Sequence, residues 1–121
     1  MTTIDLDKQT GTLTLQPSGP LAAKDFKQVA EVVDPFIASE GVLNGVVIDA
    51  AKFSGWDGFG AALDHFRFIR DHHKHVRKVA VVTDSAAGKI AEHLLAHFIA
   101  AKVELFPSGR LADAKAWATE A

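Results

Sequence analysis

Eight residues at Phe53–Gly60, "FSGWDGFG", hold three glycines, a serine and a tryptophan. Loops of this composition can cradle phosphate on backbone N–H groups or present a serine for modification. Gly55, Gly58 and Gly60 give G-x-x-G-x-G, which is not the G-x-G-x-x-G of dinucleotide sites, and no lysine follows in the position a P-loop needs. An anion bound at the start of the next helix stays open as a reading. The simpler one is a strand-to-helix turn whose glycines permit close packing, with Ser54 as a turn or cap residue.

Other residue types invite chemistry less well. In "TDSAAGK", Asp84 or Ser85 suits a helix N-cap and Lys89 a solvated face. No further residue supports a Ser–Lys catalytic pair. His93 and His97 stand at i and i+4 on one helix face, but zinc takes three or four ligands and spacing suggests no third. His72, His73 and His75 cluster beside Lys74, Arg77 and Lys78, which would repel a cation. The chain has no cysteine, hence no disulfide and no thiolate metal site. No nucleophile–base or carboxylate pair falls at a usable spacing. The expectation is a protein that is not an enzyme, with no metal and no cofactor.

The elements that position these residues follow from hydrophobic periodicity. "TIDLDK" and "TLTLQP" alternate apolar and polar residues around the turn "QTG", predicting an antiparallel hairpin with glycine at positive φ. Phe26, Val29, Ala30, Val33 and Ile37 recur at three and four, one face of a helix that Gly41 ends. Pro35 falls inside that pattern and predicts a kink or a break at Asp34. "GVVIDA", "KVAVVTD" and "AKVELFP" are short apolar runs separated by helical patterns at Trp56–His73 and Ala86–Ala100. Such runs fit parallel strands buried on both faces. A last helix runs from Leu111 to Thr119. The order is ββαβαβαβα, an α/β fold with a mixed, mostly parallel sheet, an antiparallel N-terminal hairpin and covering helices.

The 121 residues suit one domain spanning 1–121, with 48% hydrophobic and 23% charged residues. No apolar run reaches the roughly 20 residues of a transmembrane helix. The first residues lack the basic-then-apolar order of a signal peptide, so the expected location is cytoplasmic. A net charge of −2 argues against a nucleic-acid partner.

That total hides one local excess. In the helix ending near His73, Phe59, Ala62, Leu63 and Phe66 form the core-facing stripe, which places Phe68 nearly opposite. Arg67, Arg70, Lys74, Arg77 and Lys78 lie nearby, opposed only by Asp71 within Arg67–Lys78. Arg67, Phe68, Arg70 and His72 thus form a candidate face, for a homodimer or for a membrane surface. A single exposed phenylalanine is the plainer reading.

The ordered motifs "GPLAAKDF", "DPFIASEG", "FSGWDGFGAALDHFRFIRDH", "HVRKVAVVTD", "VELF" and "LADAKAWA" resemble the SpoIIAA-like single-domain proteins, over about Leu13–Trp117. These are similar to STAS domains, the fold of anti-sigma-factor antagonists, and to the core of Sec14-like lipid-binding domains. The resemblance implies the same ββαβαβαβα fold and a binding or regulatory role. In the antagonists this loop presents a kinase-modified serine just before the helix. Here Trp56, Asp57 and Gly58 occupy that place. Asp57 could imitate a fixed negative charge, though its carboxylate carries only about half that of a phosphate; with no serine at that place, a phosphorylation-independent mechanism is expected.

The combined expectation is a non-enzymatic STAS-like domain binding a small apolar or anionic ligand, or a protein partner. Open α/β sheets bind ligands at the carboxyl ends of their strands, here near Trp56, Asp57 and Phe59. The alternatives are a peripheral lipid-associated protein and a regulator of a sigma-factor-like partner.

Overall fold

The computed structural model describes residues 2–17, 19–49, 53–56, 73–83 and 102–120. Strands β1 (Thr2–Asp7) and β2 (Thr12–Pro17) form the expected antiparallel hairpin. Ile4 stands opposite Leu15 and Leu6 opposite Leu13, while Thr3, Asp5 and Asp7 are exposed. The turn is built by Asp7. Its carboxylate accepts the N–H of Gln9 at 3.0 Å and of Thr10 at 3.4 Å, and its carbonyl accepts the N–H of Gly11 at 2.8 Å. Gly11 closes it at φ +68°, open to glycine without strain.

Strand β3 (Gly19–Leu21) leads into helix α1 (Ala23–Glu40). Val29 and Val33 are buried, with Phe26, Ala30 and Ile37 half-buried on the same stripe. Gly41, at φ +86°, ends the helix and gives its N–H to the Ile37 carbonyl at 2.7 Å. The helix runs on through Pro35 without a break. Proline removes one donor, to the Glu31 carbonyl. Glu31 and Pro35 are both exposed, so water can take that carbonyl, while Val33 and Ile37 seat the helix on either side.

Strands β4 (Leu43–Asp49), β6 (Val76–Val82) and β7 (Lys102–Phe106) extend the sheet in the order β1-β2-β4-β6-β7, parallel from β2 onward. Adjacent Val46 and Val47 are both buried, as a strand covered on two faces requires. On one face, Val46 joins Leu13, Leu43, Val29 and Val33. On the other, Val47, Ala80 and Val82 meet Ala114 and Ala118 of helix α2 (Leu111–Thr119). The small side chains of α2 let it lie close. A Cβ added at Gly45 would stand 2.3 Å from the Ala118 carbonyl oxygen.

One pairing is absent from the expected order. Strand β5 (Phe53–Trp56) runs parallel to β3 in a separate two-stranded ribbon, with Gly19 opposite Phe53 and Leu21 opposite Trp56. The first half of "FSGWDGFG" is therefore strand rather than turn, and Ser54 is a strand residue, not a cap. The interiors of the helices expected at Trp56–His73 and Ala86–Ala100 lie outside the described residues. At their margins, Trp56 belongs to β5 and His73 to a 3-10 turn, His73–His75.

Lys78 has a structural task. On β6 it reaches the C-terminus of α2, its Nζ donating to the carbonyls of Trp117 at 3.1 Å and Glu120 at 3.3 Å. The same ammonium lies 5.1 Å from the centre of the Trp117 ring, which packs on Phe106 at 5.9 Å. A cation there satisfies terminal carbonyls and suits the negative end of the helix dipole. Asn44 adds a third clamp, its Nδ2 donating to the Thr119 carbonyl at 3.2 Å. Lys78→Met keeps the stem and removes the charge. It is expected to lower stability by about 1–3 kcal/mol, with α2 amides exchanging faster than those of β4. Denaturant unfolding and hydrogen exchange check this, and unchanged exchange in α2 would remove the clamp.

Candidate ligand site at the ends of the parallel strands

The carboxyl ends of β2, β4 and β6 point to one end of the sheet, where two hydrogen bonds link neighbouring segments. Gln16 Nε2, near the end of β2, donates to Asp49 Oδ2 at the end of β4, at 3.0 Å. The Thr83 N–H, just past β6, donates to the Phe106 carbonyl at 2.9 Å. The β3–β5 ribbon joins two segments far apart in sequence: β3 enters α1 directly, and β5 follows β4 closely. Leu21 and Trp56 are register partners, so the Trp56 backbone lies beside the start of α1.

The helix start carries a buried carboxylate. Asp25 is 3% exposed. Its Oδ2 accepts the Ala22 N–H at 2.8 Å, and its own N–H donates to the Ala22 carbonyl at 3.0 Å. Ala22 has no side-chain acceptor, so Asp25 supplies the reciprocal half of a capping box from the third helical position. Its Oδ1 is buried and has no hydrogen-bond partner among the described residues. Sequence reasoning missed Asp25, because a charged residue in the first turn of a helix ordinarily reads as solvated. The remaining signal was its place three residues after the cap.

Of the ligand-site residues expected from sequence, the backbone of Trp56 stands at this end, and Asp57 and Phe59 lie outside the described residues. Arg67, Phe68, Arg70 and His72, the candidate partner or membrane face, also lie outside them. The rest of that basic segment divides. Lys74, His75 and Arg77 are exposed near the amino end of β6, and Lys102 of β7, the register partner of Lys78, joins them. Lys78 is drawn away by the α2 carbonyls. This cluster stands at the opposite end of the strands from Trp56.

With this topology in place, comparison with known proteins decides the family. The SpoIIAA-like family model matches residues 12–119. The chain belongs to the SpoIIAA-like family. One solved structure that it resembles is an uncharacterised protein with a SpoIIAA-like fold from Shewanella loihica PV-4. It is 21% identical, the match covers 96% of this chain and 92% of that one, and the TM-score is 0.75. No curated protein matches the chain. The SpoIIAA-like assignment agrees with the mixed sheet, its antiparallel β1–β2 edge and its parallel remainder. It places the chain among STAS-like domains, which in general bind and regulate. No helix among the described residues is long and apolar enough to cross a membrane.

Proposed function

We propose that this SpoIIAA-like domain is a non-enzymatic binding module whose site lies at the carboxyl ends of the parallel strands, between the β3–β5 ribbon and the start of α1. The observation that carries the reading is the Leu21–Trp56 pairing, which brings the end of β5 beside the start of α1. Such convergence at strand ends is where open α/β sheets take ligands. Trp56, Asp57 and Phe59 are the proposed contacts, and the ligand is a small molecule or a segment of a protein partner. Ser54 sits within a paired strand and not at the head of a helix, which supports a mechanism independent of serine phosphorylation.

Native mass spectrometry of protein purified without harsh washing tests the reading. A retained small molecule or a co-purifying protein is the expected result, lost on Trp56→Ala. A bare chain that also gains nothing from a cell extract would overturn it. The same spectrum reports the homodimer proposed through Arg67, Phe68, Arg70 and His72. A lipid-associated role in the cytoplasm is the second reading, favoured by the exposed Lys74, Arg77 and Lys102. Each such cation adds about 1 kcal/mol at an anionic surface, so binding there would be weak and sensitive to salt.

A further inference from the structure

We propose that Asp25 is the polar anchor of the ligand site and accepts a hydrogen bond from an N–H or O–H of the bound molecule. The inference rests on the site proposed above and fixes the chemistry of its ligand. Three observations lead to it. Asp25 is almost wholly buried, and Oδ1 has no partner among the described residues. A carboxylate oxygen left so loses its hydration with nothing in return, which is unfavourable. The place of that oxygen is also fixed. Oδ2 is held by the cap N–H at 2.8 Å, so Oδ1 sits in the mouth of α1. Finally, the cap residue directly follows Leu21, the partner of Trp56, so the unfilled acceptor lies at the proposed site.

A helix N-terminus ordinarily draws an anion through its unpaired N–H groups. Here the chain has placed its own carboxylate in that position. A second anion would meet like charge at short range in a poorly solvated setting. The matching headgroup carries a donor: a hydroxyl, a carboxamide or an ammonium. The β3–β5 ribbon lies outside the main sheet and has only two short strands.

Hexanol, hexanamide and hexanoate share one apolar tail and differ in the headgroup. Their titration into the purified protein, followed by amide chemical shifts at Leu21–Lys24, tests the inference. Hexanol and hexanamide are expected to bind about fivefold to tenfold more tightly than hexanoate, the value of one hydrogen bond. Asp25→Ala should abolish that preference. Asp25→Asn keeps an acceptor and the side-chain shape, so it should retain binding of the alcohol and lose the discrimination against hexanoate; thermal melts establish that both variants are folded. Equal or tighter binding of hexanoate by the wild type, or an Asp25→Ala protein with the preference intact, would overturn the anchor and leave the ligand site standing. If none of the three binds while native spectra show a retained ligand without a donor group, the anchor falls alone. If no ligand of any kind is found, the site falls with it.

Discussion

Gly45→Ala is expected to destabilise the protein by about 3 kcal/mol or more, although an alanine in a strand is ordinarily favoured over glycine by roughly 0.5–1 kcal/mol. The sign is set by space. The added methyl would lie 2.3 Å from the Ala118 carbonyl oxygen and 2.7 Å from the Ala118 Cβ. One obstacle is helix backbone and the other is fixed to it, so no rotamer change relieves the contact. Overpacking usually costs about 1–3 kcal/mol, and more where backbone must move. Helix α2 would have to lift from β4 and β6, uncovering Val47, Ala80 and Val82. Urea unfolding of both proteins gives the difference. A variant equal to the wild type would mean that α2 does not lie on Gly45. A second substitution, Ala118→Gly, should recover part of the loss only if the two residues meet.

The other large effect is expected on the opposite face of the sheet. Leu13 is 2% exposed and sits among Val29, Val33, Leu43 and Val46. Leu13→Ala should cost about 2–5 kcal/mol, the sum of lost burial and an imperfectly closed cavity. Val32, on the solvent side of α1, is 38% exposed, so Val32→Ala should stay within about 0.5 kcal/mol. Unfolding free energies of the two variants test the burial pattern directly. Similar losses at both sites would contradict the seating of α1 on the sheet.

Much of this architecture was legible because most elements carry their own period. Alternation in "TIDLDK" and "TLTLQP" gave the hairpin, β-branched runs gave β4 and β6, and the three-four repeat from Phe26 to Ile37 gave α1. The ribbon was not legible. Strands of three and four residues, composed of Gly19–Leu21 and Phe53–Trp56, are too short to show a period and include glycine, proline and serine. Their pairing is decided by where β2 and β4 end. Pro35 was read by its local rule, but the outcome depended on which carbonyl lost its donor and whether water could reach it. Lys78 looked like part of a basic surface, because its partners at Trp117 and Glu120 are remote in sequence. At the candidate site, composition drew attention to Trp56 and passed over Asp25. Burial of a charged side chain is a tertiary property that no local pattern announces.

The clamp at the end of α2 has a consequence for how the protein comes to exist. Asn44 and the Thr119 carbonyl that it holds are separated by 75 positions in the chain. Synthesis proceeds at about 5–20 residues per second, so β4 leaves the ribosome roughly 4–15 seconds before the helix that will cover it. The hairpin and α1 can assemble against Leu13 and Val46 in that interval. Val47, and then Ala80 and Val82 as they appear, cannot be covered by α2 until Ala114 and Ala118 have emerged. During biogenesis one side of this sheet is a sticky surface awaiting its lid, and any chaperone dependence of the nascent chain should be greatest in that window.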